Sequence, residues 1–111
     1  FDGVRVPSRN MIGQEGQGFY QAMIAFDFNR AIIALACVGA AQQSLDETIE
    51  YTKGREVFGK PLATFEGVAF QVAEHLTMLE AVRVLSYKCL WLKDQGKNHT
   101  SEAAMVCKTP L

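Results

Sequence analysis

Proline is scarce in this 111-residue chain: Pro7, Pro61 and Pro110 are its only three. No helix breaker stands between the first and second, or between the second and third, so two long helices are permitted. Cysteine is also sparse. Cys37, Cys89 and Cys107 are odd in number, widely spaced and form no CxxC pair. That argues against a disulfide framework or a zinc site and predicts buried thiols in a reducing compartment. Neither sign of charge dominates, with 11 basic and 12 acidic residues. A nucleic-acid-binding tail and a polybasic membrane patch are therefore not expected. The longest apolar run, Ala31 to Ala41, is far short of the roughly 20 residues of a membrane span. Asp27, Asn29 and Arg30 precede it, so it reads as a buried helix of a soluble protein. No signal peptide, repeat or low-complexity tract is visible.

What is present is apolar content of 49%, enough for a real core. Residues 1–18 read as an extended segment and a loop punctuated by Gly13, Gly16 and Gly18. Phe1 to Pro7 alternates like a last strand with no partner after it. Thr109-Pro110-Leu111 breaks a third helix soon after its start. The chain is thus expected to be an excerpt of something longer. One helix is predicted from about Gly18 to Gly54, with apolar residues at Phe19, Met23, Phe26, Ile33, Ala36, Ala40, Leu45 and Ile49. Its middle is rich in small residues, including Gly39. A mid-helix glycine costs about 1 kcal/mol against alanine, and a closely approaching helix is the expected compensation. A second helix is predicted from about Phe65 to Gln95, with the stripe Phe65, Ala69, Val72, Leu76, Leu79, Val82, Ser86 and Leu90. Gly96 suits the position after its end. Thr100 reads as the N-cap of a third helix with Glu102 in its first turn. The fold class is all-α: an antiparallel long-helix bundle, part of a four-helix bundle, after a short extended segment. The boundaries are 1–18 for the end of a preceding β-domain and linker, and 19–111 for a partial helical bundle.

Several constellations fail. His75 and His99 lack a Glu three residues before them, so the Glu-x-x-His di-metal pattern is absent and no metal is expected. Gly13 to Gly18 lacks both the GxGxxG spacing and its strand-turn-helix context. No Ser-His-Asp or Cys-His arrangement is interpretable.

The corner between the long helices is informative. Arg55 stands at a helix end beside Gly54, where a solvated cation suits the helix dipole. A guanidinium fork also matches phosphate oxygens. Phe58 suits either core packing or a cofactor face. Asp27 and Arg30, three apart, can pair on one helix face. They interrupt the most apolar helix, which favours a functional reason, since buried charge is costly unless paired.

The ordered set resembles the acyl-CoA dehydrogenase family. It comprises Tyr51-x-x-x-Arg55-x-x-Phe58-Gly-x-Pro-Leu62, Phe1-Asp-x-Val-x-Val-Pro7 and Gly13-Gln-Glu-Gly-Gln-Gly-Phe19. Asp27-x-x-Arg30, Val38-Gly-x-Ala41, Asp46, Glu80-Ala-x-Arg83 and Ala103-Ala-Met105 with Lys108 extend it over nearly the whole chain. The resemblance implies desaturation of an acyl-CoA thioester between its α and β carbons. A carboxylate removes the α-proton and the β-hydride passes to FAD. It implies a four-helix C-terminal domain, a homo-oligomer (dimer or tetramer) sharing FAD across subunits, and electron-transfer flavoprotein or a similar acceptor. Cytoplasm, or mitochondrial matrix in a eukaryote, is the implied location. Arg55 would contact the FAD pyrophosphate of the neighbouring subunit, Phe58 would pack beside that cofactor, and Asp27 and Arg30 would lie by the acyl-CoA.

Glu66 departs from the family. Many members carry a glutamine there whose amide contacts FAD, and a carboxylate repels a pyrophosphate unless protonated, paired or turned away. Asn29 occupies the position where a subset places its catalytic glutamate, and an amide is no general base. In the other members the base lies beyond Leu111, so this chain is expected to contain no catalytic base. The Asn29-Arg30-Ala31 and His99-to-Met105 segments are similar to dehydrogenases of alicyclic thioesters such as cyclohexane- or cyclohexene-carboxyl-CoA. The alternatives are a same-fold flavoprotein with other chemistry, such as an acyl-CoA oxidase or flavin monooxygenase relative, and a non-catalytic helical interaction module.

Overall fold

The computed structural model describes residues 1–109, so the expected break at Pro110 and Leu111 lies outside the described residues. The proline-free stretches form the two predicted rods. Helix α1 runs Gly18–Gly54, 37 residues, or about 55 Å at 1.5 Å per residue. A hairpin of β1 (Glu56–Val57) and β2 (Lys60–Pro61) turns the chain, followed by a single 3-10 turn, Leu62–Thr64. Helix α2 (Glu66–Asp94) returns along α1. It ends as predicted at Gly96, which takes φ +64°. Lys97 N–H reaches Leu92 O and Gly96 N–H reaches Lys93 O, a Schellman closure that only a left-handed residue permits. Helix α3 (Thr100–Lys108) packs on both long helices. The Thr100 N–H is bound by Asn98 Oδ1 at 3.0 Å. The cap predicted for Thr100 thus comes from Asn98, and Thr100 is the first helical residue.

The core is built of short side chains. Ala31, Cys89 and Ala103 form one buried cluster. Ala34, Val38, Leu79, Val82 and Val106 form a second. Ser86 is fully buried, and its hydroxyl donates to Val82 O at 2.7 Å within its own helix, leaving no unpaired donor.

Several expectations fail in detail. The stripe traced along α1 through Phe19, Met23, Phe26, Ile33, Ala36 and Ala40 is exposed, while Ala31, Ala34 and Val38 are buried. The helix is apolar over much of its circumference, so several faces satisfy a spacing of three or four. On α2 the predicted stripe holds at Leu79, Val82 and Ser86, which are buried, while Ala69 and Leu76 are exposed and Cys89 joins the buried set. Cys37 and Cys107 are exposed, and only Cys89 is buried. Gly39 has no heavy atom within 4 Å of the place its Cβ would take, so no close helix compensates it. Phe1 to Pro7 enters no ladder, as expected of an extended segment with no partner strand after it.

The radius of gyration is 21.6 Å, against about 13 Å for a compact domain of this length. Its accessible surface is 8542 Å², where a compact monomer of this mass would show about 6,100 Å². Part of the excess is the extended first segment. Large apolar residues contribute to it too: Ile24, Ile32, Ile33, Phe70, Val84 and Trp91 all face outward. By length and composition α1 could also cross a membrane, a property shared with the core helices of large soluble proteins.

Replacing Gly39 with alanine is expected to stabilise this chain by about 0.5–1 kcal/mol, read as a higher urea midpoint. A lower midpoint would reveal a contact at Gly39 that the structure lacks.

Candidate functional site

The corner forms from backbone constraints outward. Arg55 leaves α1 with extended φ/ψ, its N–H still bound to Tyr51 O. Its carbonyl accepts from Leu62 N–H at 2.7 Å, closing the hairpin. Glu56 opposes Pro61 and Val57 opposes Lys60. The two connecting residues, Phe58 and Gly59, take φ 52° and 76°. Two consecutive positive φ values are what a type I′ turn requires, normally met by Asn-Gly or Gly-Gly. A phenylalanine there costs about 1–2 kcal/mol. Phe58 is nevertheless 93% exposed to solvent, its ring lying edge-on to Phe65 with centroids 6.4 Å apart. Strain spent on presenting an aromatic outward marks a contact surface.

The other corner groups are charged. The Arg55 guanidinium is exposed and makes no hydrogen bond or ion pair among the described residues. Lys60 Nζ lies 4.4 Å from the Phe65 ring centre. Glu66 is the exposed first residue of α2, where the helix N-terminus favours a carboxylate. The structure therefore brings Arg55, Phe58 and Glu66 to one end of the helix pair. Phe65 and Lys60 join them, and the one-letter pattern had not marked these two as site residues.

Asp27 and Arg30 lie elsewhere. At about 1.5 Å per residue, Arg30 and Arg55 stand about 38 Å apart along α1. The predicted pair exists: Arg30 Nη1 donates to Asp27 Oδ1 at 2.6 Å. The second carboxylate oxygen, Oδ2, accepts from Thr100 Oγ1 at 3.3 Å, across 73 positions of sequence. That contact was illegible in the sequence, because Thr100 carried only a helix-start signal. Lys88 Nζ meets Glu102 Oε1 at 2.9 Å, and hydrogen bonding from Lys88 is the main cause holding the Glu102 carboxyl below its ordinary value. Cys89 Sγ lies 3.7 Å from His99 O. Burial first, then the carboxylates of Glu102 and Asp27, push this thiol up, so it stays protonated and unreactive. His99 Nε2 is buried with no hydrogen-bond partner among the described residues. Asn29 is exposed.

Between α1 and α2 lies an open groove of about 630 Å³, lined by Ala41, Leu45, Val72 and Met78 with Glu74 and His75. None of the five predicted site residues reaches it.

The family described as acyl-CoA dehydrogenase, C-terminal domain, matches residues 16–109. A short-chain-specific acyl-CoA dehydrogenase of Megasphaera elsdenii is 41% identical over 106 residues, covering 96% of this chain and 28% of that protein. The caffeyl-CoA reductase-Etf complex subunit CarC of Acetobacterium woodii is 43% identical over 103 residues, 93% of this chain and 27% of its own length. The structure of butyryl-CoA dehydrogenase from Megasphaera elsdenii superposes with a TM-score of 0.86 at 40% identity, covering 91% of this chain and 26% of that one. PigA with FAD and proline superposes at 0.86 with 28% identity, over 96% of this chain and 28% of its own. The chain thus spans between 26% and 28% of the length of these relatives.

Glu102 should make the α2–α3 junction acid-sensitive. Its folded-state pKa is lowered, so the stabilisation is present above the unfolded value, near 4.3. It is lost as pH falls through the folded value. Urea midpoints from about pH 6 to about pH 3 should fall less in Lys88→Met than in the parent chain; parallel curves would exclude the ion pair as a cause.

Proposed function

The chain belongs to the acyl-CoA dehydrogenase family through that family's C-terminal domain, and we propose that it forms the helical part of a flavin-dependent enzyme desaturating an acyl-CoA thioester between its α and β carbons. The observation that carries this reading is the corner, where a strained turn exposes Phe58 beside an unpaired Arg55. The residues present fit FAD. A free guanidinium matches a pyrophosphate, and an exposed ring offers an apolar face to a cofactor. A carboxylate only accepts hydrogen bonds, so Glu66 suits a hydroxyl or imide N–H of FAD rather than its phosphates. When bound, FAD supplies the acceptor for the β-hydride, while the α-proton goes to a carboxylate base. Asn29 cannot be that base.

Arg30 and Asp27 are assigned to the acyl-CoA thioester. The distance of about 38 Å between Arg30 and Arg55 along α1 supports a cofactor shared between subunits, with Arg55 serving the neighbour's FAD. The exposed apolar surface of the long helices supports a homo-oligomer, a dimer or tetramer. An electron-transfer flavoprotein is the proposed acceptor, on the likeness to a subunit of a reductase-Etf complex. Cytoplasm or mitochondrial matrix is the proposed location. The likeness to PigA, whose structure holds FAD with proline, favours one second reading: a same-fold flavoprotein acting on a substrate that is not a CoA thioester.

The complete protein is expected to purify yellow, to release FAD on denaturation and to bleach on addition of a saturated acyl-CoA. Colourless protein that takes up no FAD would overturn the proposal, and bleaching by other substrates alone would favour the second reading. Arg55→Ala should lower retained FAD roughly tenfold or more, the loss expected of a charge-assisted contact. Phe58→Asn should act in two directions. Asn-Gly suits the turn, raising stability by about 0.5–1 kcal/mol, while FAD retention falls. The 111-residue chain alone should not oxidise acyl-CoA.

A further inference from the structure

Asp27 and Arg30 are paired, but their surroundings differ. The Asp27 side chain is 20% exposed and that of Arg30 is 41% exposed. Both carboxylate oxygens of Asp27 are engaged, Oδ1 by Arg30 and Oδ2 by Thr100. A guanidinium carries five N–H donors, and Asp27 occupies one of them. Arg30 therefore keeps donors free for a ligand oxygen, while Asp27 faces inward to the protein.

Thr100 is itself held from two sides. Asn98 Oδ1 accepts its backbone N–H, which places the hydroxyl in the first turn of α3. The Lys88–Glu102 ion pair, two residues on in the same first turn, ties this end of α3 to α2. Ala103 is fully buried against Ala31 and Cys89, so this end of α3 cannot slide along α1 without opening the core. The hydroxyl thus has a fixed place from which to hold the carboxylate.

We propose that Thr100 is a positioning residue for substrate binding: its hydroxyl holds Asp27, and Asp27 holds the Arg30 guanidinium ready for an oxygen of the acyl-CoA thioester. This rests on the assignment of Arg30 to the substrate. Arginine has many rotamers, and fixing one before the ligand arrives removes part of the ordering cost of binding. The 3.3 Å Thr100–Asp27 distance is long for an O–H···O bond. The expected effect is correspondingly modest, roughly two- to tenfold in affinity.

The test uses the complete protein and crotonyl-CoA, an unsaturated thioester already carrying the product double bond, with Kd read by titration calorimetry. Thr100→Val should weaken binding roughly two- to tenfold, and Thr100→Ser should restore it. Asp27→Asn should produce a similar loss that does not add to that of Thr100→Val. In an Arg30→Ala background, Thr100→Val should have no further effect, which a merely structural role for the hydroxyl would not predict. Should Thr100→Val fail to fold, Asp27→Asn alone and with Arg30→Ala carries the same cycle. If Arg30→Ala weakens binding but Thr100→Val and Asp27→Asn do not, the positioning role is wrong and the substrate assignment stands. If Arg30→Ala leaves Kd unchanged, both fall together. Equal losses from Thr100→Val with and without Arg30 would also overturn the proposal.

Discussion

Three helices meet at Ala31, Cys89 and Ala103, each at most 1% exposed, and the rest of the molecule depends on how closely those backbones approach. Interaxial distance follows from the side chains at the contact, and here they are about as small as side chains can be. Close approach at this point lets Lys88 reach Glu102 and Thr100 reach Asp27. It also brings Val38, Val82 and Val106 into one layer beside it. A larger side chain at Ala31 would separate the helices and open both the core and the polar links at once.

The tight pairing of α1 and α2 sets a demand at the other end. The chain must reverse between them, and it does so with a two-residue hairpin turn in which Phe58 occupies a position suited to asparagine or glycine. Leu62 N–H and Arg55 O lock the hairpin, so the turn cannot relax by rotating Phe58 away. Phe58 stays 93% exposed to solvent, and Arg55 makes no ion pair among the described residues. The FAD contact proposed for this corner accounts for both facts together.

The surface tells a consistent story. The chain exposes about 2,400 Å² more than a compact monomer of its mass would, part of it from the extended first segment and part from the long helices. It belongs to a family whose matched relatives are several times longer. The apolar outer faces of α1, the unfilled groove at Ala41 and Leu45 and the uncompensated Gly39 all fit surfaces awaiting more protein.

Much of the fold was legible along the chain. The ends of both long helices, the glycine that closes α2 and the start of α3 followed from proline, glycine and local periodicity, because helix termination is decided by the backbone chemistry of neighbouring residues. The Asp27–Arg30 pair was legible for the same reason, being one helical turn apart. The face by which α1 packs was not: a helix apolar over much of its circumference specifies burial without specifying a side, and only the positions of α2 and α3 select Ala31, Ala34 and Val38. The corner is divided in the same way. Sequence order alone picked out Arg55, Phe58 and Glu66 through their family resemblance, but the left-handed φ of Phe58 belongs to the hairpin that joins α1 to α2, and the Thr100 hydroxyl reaches Asp27 from 73 positions away only once three helices have closed on one another.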